Sequence, residues 1–261
     1  MQARRGWIAS VALTALLAGA AGRAAPSEGY LAGHEPNTIM VAPQAPAVGS
    51  ARDNADRAIF KATRSLQGSP RWVLATRDAN ISIADFLNDF SCAMGVSLNE
   101  RNVPALAAVL RQSSPDIVTA YSAPKELYKR PRPYLRDQGP ICVERDEVLD
   151  ESYDYPSGHA TFGWATGMVI AEAAPDRAAA ILARARAYGE SRAVCGVHSA
   201  SAIDAARMAA TTLLTALDGN AAFQADMAAA RPEIAALRAS TGAIRPSGCQ
   251  AEAALIAKTP W

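Results

Sequence analysis

The chain is expected to fold as an all-α, single-domain helical bundle, on three observations. Between residues 53 and 237 apolar residues recur three or four apart in one run after another. Period-two alternation of Val, Ile and Thr, the mark of half-buried strands, is scarce. The runs are separated by short stretches of Pro, Gly and polar residues, which suit brief connections between packed helices.

The elements follow in order. Residues 1–25 form a signal-peptide pattern: Arg4 and Arg5 open it, an apolar run spans 7–17, and small residues follow with cleavage expected between Ala20 and Ala25. The run is too short to cross a bilayer as a helix, and no later segment has ~18 consecutive apolar residues, so no membrane partner is expected. A periplasmic or secreted location follows from that pattern. Residues 26–50 are rich in Pro, Gly, Ala and Ser and read as an extended N-terminal segment. The folded domain is taken as 51–250, with 251–261 as a C-terminal tail.

Within the domain, 53–66 carries apolar Ala55, Ala58, Ile59 and Ala62 on one face. Residues 81–90 follow, with Ser82 as a cap, Asp85 three positions on, and Phe86, Leu87 and Phe90 as the apolar face. Pro104 opens a helix over 104–110 from a first-turn position. A separate helix is expected over 115–129, stopped by Pro131 and Pro133. After a polar loop through 154, helices are expected over 157–173, 175–188 and 202–217. A last one, 221–237, is alanine-rich and covers the bundle.

Composition narrows function by exclusion. The chain has 261 residues, half of them apolar, and a formal net charge of +1, enough for one substantial core and without the basic excess of a nucleic-acid binder. Four cysteines, Cys92, Cys142, Cys195 and Cys249, allow two disulfides in an oxidising compartment, with three pairings open. They contain no CxxC pair, so neither a metal site nor another cofactor is expected.

Three clusters carry the chemistry. In KELYKRPRP, 125–133, Lys125 closes a helix and Pro133 biases Arg132 towards extended backbone; alone, this reads as a solvated basic helix end. In YPSGHATFGWATG, 155–167, Ser157 is a natural N-cap, Gly158 admits a close ligand, and His159 stands in a first turn suited to an anion. In GESRAVCGVHSASAIDAAR, 189–207, Arg192 precedes His198 across a Gly-containing turn. The remaining histidine, His34, lies in the N-terminal segment and receives no role.

Together KxxxxxxRP, PSGH and SRxxxxxH, in that order, resemble the three-part signature of the type 2 phosphatidic acid phosphatase superfamily, which includes the vanadium haloperoxidases. The likeness is closest to the secreted class A bacterial non-specific acid phosphatases and covers most of 80–235. It implies the helical fold of that group and hydrolysis of small phosphomonoesters without a metal. By the resemblance, His198 is the nucleophile that forms a phosphohistidine and His159 the general acid to the leaving alcohol. Lys125, Arg132 and Arg192 hold the phosphate oxygens, helped by Ser157 and the Gly158 N–H. Fixed cations suit phosphoryl transfer, which is mostly positioning plus charge stabilisation. The rate is expected to follow a bell in pH with its optimum on the acid side.

One position departs from the pattern. The family has an aspartate four residues after the nucleophilic histidine, to fix its tautomer, and Ala202 stands there. Asp204 matches a second acidic position of the family and is rotated by about 200° along the helix from 202. Losing such a carboxylate costs a Ser-His-Asp triad about 10⁴ in rate. Backbone carbonyls, a water, Ser199 or Ser201 are the candidate replacements. The leading expectation is therefore an acid phosphatase, of reduced activity if nothing replaces the aspartate. The alternative is a catalytically weak or inactive phosphate-binding relative, and a vanadate-dependent haloperoxidase ranks last. Apolar helix faces beyond those a core needs leave room for a homo-oligomer.

Overall fold

The computed structural model describes residues 28–261; the expected signal peptide lies outside the described residues. Among those residues there are ten α-helices and no strand. They are α1 (Ala51–Thr63), α2 (Pro70–Arg77), α3 (Ile83–Met94), α4 (Pro104–Tyr128), α5 (Glu147–Glu151), α6 (Gly158–Ala173), α7 (Ala178–Cys195), α8 (Ala200–Asp218), α9 (Ala221–Ala239) and α10 (Cys249–Ile256). No helix among them is long and apolar enough to cross a membrane.

α6 is the centre, packed most extensively on α7 and α8 and also against α4. Its sequence is apolar or small nearly all round, as a helix enclosed by others must be. The approach of α7 depends on glycine. A Cβ on Gly163 would overlap the Tyr188 ring at 2.2 Å, and one on Gly167 would lie 2.5 Å from the Ala185 Cβ. The main core gathers Phe86, Leu87 and Phe90 of α3, Leu106 and Ile117 of α4, and Leu213 and Phe223 of α8 and α9. The apolar positions expected for 81–90 are thus core, and Ser82 caps α3 through its hydroxyl and the Asp85 N–H.

Three expectations need correction. The helices expected over 104–110 and 115–129 are one, α4, which runs straight through Pro115 and Pro124. A proline inside a helix removes one N–H bond, but here tertiary contacts on both sides outweigh that loss. Leu106, Leu110, Ile117 and Ala120 share the buried face, and Asp116, next to Pro115, accepts the Tyr30 and Leu31 N–H groups at 2.8 and 3.2 Å. The helix expected over 175–188 begins as a 3-10 turn at Pro175–Arg177 and then continues as α7 to Cys195, where Gly196 ends it in the left-handed region (φ 84°). The polar loop expected through 154 contains the short helix α5, capped by Asp146; two further helices fall where the sequence marks none, α2, capped by Ser69 with Pro70 at its first turn, and α10, which runs into the tail beyond 250.

The cysteines pair as Cys92–Cys249 and Cys142–Cys195. The first ties α3 to α10, the second the loop before α5 to the last residue of α7. Both therefore fasten connections that short helices alone would hold weakly.

Candidate active site

His198 lies in the link between α7 and α8. Gly196 turns the chain, the Val197 and His198 N–H groups both point back at the Arg192 carbonyl (3.1 and 3.3 Å), and Ser199 caps α8. The imidazole is buried. Its Nδ1 faces the main-chain carbonyl of Asp154 at 2.7 Å and the Oδ1 of the same residue at 3.2 Å. Its Nε2 faces the Arg132 Nη1 at 3.1 Å. Asp154 offers Nδ1 only acceptors, whereas Arg132 can only donate. A neutral ring is therefore protonated at Nδ1 and presents its lone pair at Nε2. Burial pushes the His198 pKa well below its ordinary value, and the charges of Arg132, Lys125 and His159 add to that.

Three cations serve the two histidines: Arg132 contacts Nε2 of His198, Lys125 acts on the same ring by its charge, and Arg192 acts on His159. Arg132 leaves the end of α4 with extended backbone (φ −63°, ψ 150°), as expected of a residue before proline. Its guanidinium is anchored by the Val197 carbonyl at 2.8 Å and by Ser152 at 2.6 Å. Lys125, in the last turn of α4, donates to the Tyr153 carbonyl, and burial and then Arg132 pull its pKa down to about 8. Arg192, in the last turn of α7, is buried and donates one Nη to the Ala75 carbonyl. Its Nε is buried with no partner among the described residues. Each orphaned donor is a cost unless something arrives to accept it, and an anion does so.

The PSGH segment supplies the fourth wall. Ser157 caps α6, accepting the Ala160 N–H at 3.3 Å, so its hydroxyl orients the helix start. The Gly158 and His159 N–H groups are the first of the helix, and no turn of the helix satisfies them. A Cβ on Gly158 would meet the Tyr121 ring at 3.1 Å. The glycine therefore admits that ring as well as a ligand. His159 directs its Nε2 at the Ala79 carbonyl, 3.0 Å away, which leaves Nδ1 as the ring's exchangeable nitrogen. Burial, then Arg192, lowers its pKa to about 3; the Ala79 carbonyl opposes this, and Arg132 and Lys125 add to it.

The structure thus draws Lys125, Arg132, His159, Arg192 and His198 into one cluster: Arg132 contacts the His198 ring, the charges of Lys125 and His159 act on that ring, and those of Arg192, Arg132 and Lys125 act on His159, while Ser157 and Gly158 open the helix that carries His159. It keeps two others out of it. Asp204 is exposed and pairs with Arg52 at 2.9 Å and Arg207 at 3.3 Å. Ala202 is buried among Ala42, Tyr155 and Ala205, and its carbonyl accepts the Ser157 N–H at 3.1 Å.

Sequence reasoning missed the support behind His198. Asp154 takes the Ser199 N–H at 2.9 Å, the Ser199 hydroxyl at 2.6 Å and the Arg130 guanidinium at 3.3 Å. Arg130 also donates to Ser199 and Ser201, both at 2.8 Å, and pairs with Asp53 and Asp56 of α1, both at 2.9 Å. Asp56 in turn accepts the Ser201 N–H at 2.9 Å. The one signal was an acidic residue directly before YPSGH; its partner lies 44 positions away and is visible only in the fold.

Residues 105–218 match the PAP2 superfamily. The chain is 38% identical over 208 residues to the acid phosphatase of Zymomonas mobilis subsp. mobilis, covering 79% of this chain and 78% of that protein. It is 32% identical over 206 residues to the non-specific acid phosphatase of Providencia stuartii (77% and 82%), and 32% over 176 residues to that of Salmonella typhimurium (65% and 69%). The chain belongs to the PAP2 superfamily. Within it, the relatives that resemble it over most of its length are acid phosphatases.

Proposed function

We propose that the protein is an exported acid phosphatase that hydrolyses small phosphomonoesters through a phosphohistidine on Nε2 of His198. The observation that carries this is the His198 ring itself. Nδ1 is committed to Asp154, and Nε2 faces Arg132, with Lys125 near enough to act on the ring by its charge. The resemblance to acid phosphatases over most of the chain supports the same reaction class.

In the first step the Nε2 lone pair attacks phosphorus, the P–O bond to the alcohol breaks, and the leaving oxygen takes a proton from Nδ1 of His159. In the second, a water loses its proton to His159 and attacks phosphorus, and the N–P bond breaks to release phosphate. Lys125, Arg132, Arg192 and the α6 N-terminus hold the non-bridging oxygens throughout, where charge spreads in the transition state. With the pocket empty His159 is neutral, so the proton it hands over arrives with the substrate. Below about pH 6 a phosphomonoester still carries one. That favours an acid optimum, while the need for a neutral His198 limits the rate at still lower pH.

The expectation of a phosphate binder without turnover rested on a nucleophile with no acceptor for Nδ1; Asp154 supplies two. Export draws support from the N-terminal signal pattern and from two disulfides among four cysteines. The test is hydrolysis of p-nitrophenyl phosphate at acid pH, with rapid quenching and mass spectrometry of the peptide bearing His198. Turnover, a phosphorylated His198 and an inactive His198→Ala are expected. Full activity in His198→Ala would sink the mechanism.

A further inference from the structure

We propose that Asp154 is the positioning carboxylate of His198, a role that has moved from position 202 to the segment entering α6. This rests on His198 being the nucleophile. Both acceptors at Nδ1 belong to Asp154: its carbonyl at 2.7 Å sets the tautomer, and its Oδ1 at 3.2 Å brings a negative charge to the ring. The carbonyl alone would orient the imidazole. Only the carboxylate can offset the positive charge that the ring acquires as Nε2 bonds to phosphorus and Nδ1 keeps its proton.

The surroundings of Asp154 are built to keep that charge in place. The Ser199 N–H and the His198 Nδ1–H point at Oδ1, while the Ser199 hydroxyl and Arg130 point at Oδ2. The Ser199 oxygen itself accepts from Arg130 at 2.8 Å and from the Ala202 N–H at 3.4 Å, and its hydroxyl lies 2.6 Å from Asp154 Oδ2 against 3.3 Å from the Ser201 hydroxyl, so Asp154 is the nearer acceptor of its proton. Burial pushes the carboxyl pKa up, and Arg130, Ser199 and Arg132 oppose it. Arg130 is fixed in turn by Asp53 and Asp56. Position 202 has been given over to packing, with a methyl group against Tyr155 and Ala205. The third motif lacks the carboxylate that the resemblance leads one to expect, and the residue before YPSGH supplies one.

The test compares Asp154→Asn, Asp204→Asn and His198→Ala with the parent, using p-nitrophenyl phosphate for kcat and inorganic phosphate for competitive inhibition. Asparagine keeps the shape and an acceptor oxygen but not the charge. Asp154→Asn is expected to lower kcat by about 10²–10⁴-fold, the range of a spoiled triad carboxylate, and to leave phosphate inhibition unchanged. Asp204→Asn neutralises an exposed carboxylate of α8 that stays outside the site, and its kcat is expected to stay near the parent's. Unchanged kcat in Asp154→Asn, an equal loss in Asp204→Asn, or a parallel loss of phosphate binding would each overturn the proposal. Should Asp154→Asn not fold, nitrogen-15 NMR of the parent decides: a strongly deshielded Nδ1–H of His198, absent in His198→Ala, marks a carboxylate partner, and an ordinary imidazole N–H rejects it. An active His198→Ala would instead mean that the nucleophile is misassigned, a result distinct from failure at Asp154 alone.

Discussion

The Nε2 of His159 sits 3.0 Å from the Ala79 carbonyl, which leaves Nδ1 as the nitrogen free to exchange a proton. A general acid matters most when the leaving group is poor. His159→Ala is therefore expected to cost roughly 10²–10⁴-fold in kcat with an alkyl phosphate and clearly less with p-nitrophenyl phosphate, whose alcohol leaves without help. Measuring both substrates on one preparation checks it; equal losses would argue against proton donation.

Lys125 is expected to add a further alkaline limb, above the one that the substrate's own proton sets at about pH 6. Its pKa is lowered to about 8, chiefly by burial, so the ammonium is charged below that pH and lost above it. Phosphate affinity should then fall as pH rises through about 8, and kcat/KM with it. Lys125→Arg keeps its charge throughout, so its profile should lose that limb. A pH–rate series for parent and variant is sufficient.

Gly158→Ala would set a Cβ 3.1 Å from the Tyr121 ring, which in turn lies 5.9 Å from the Lys125 ammonium. The ring must give by a few tenths of an ångström, into the anion pocket. KM is expected to rise by roughly tenfold, short of the 10²-fold that a full ångström of misplacement costs. Stability should fall by about 1 kcal/mol. Steady-state kinetics with a thermal melt separates the two effects.

Ala202→Asp is expected to gain no activity. It would put a second carboxylate into an apolar cluster with Tyr155 and Ala205, beside a histidine whose Nδ1 is already satisfied. Burying the group without a partner costs roughly 1–3 kcal/mol, visible as a lower Tm. A rise in kcat would mean that Asp154 falls short as a partner.

Reduction of Cys142–Cys195 should loosen the site from behind. Cys195 stands three residues before His198, and the Cys142 N–H also donates to the Cys195 carbonyl at 3.0 Å. Replacing both cysteines by serine is expected to cost about 2–4 kcal/mol. Activity measured well below the melting temperature should persist, because Gly196 and Ser199 still turn and cap the chain around His198.

Much of the fold was legible because alanine-rich helices with Leu and Ile at fixed spacing carry their period openly. α3, α6, α8 and α9 fall close to where that period puts them. Pro115 misled because a proline's local cost is visible in sequence, whereas the burial of Leu110 and Ile117 around it is not. At the site, Lys125, Arg132, Arg192 and both histidines were readable as motifs of fixed spacing. Asp154, Arg130, Asp53 and Asp56 were not, since a buried ion-pair network has no period and draws its members from three separate parts of the chain. The empty place at 202 could be seen, but not the residue that fills its role.

The tie between α1 and α8 also sets when the site can be completed. Asp56 and Ser201 are 145 positions apart, yet they hold the same guanidinium, Arg130, which steadies Asp154 beside His198. At ordinary rates of synthesis that separation is roughly 7–30 s of elongation. Until Arg130 is made Asp53 and Asp56 lack the guanidinium they share, and Arg130, once made, waits for Ser199 and Ser201. A chain ending short of residue 201 therefore carries the cations and His159 before the network that steadies Asp154 can close.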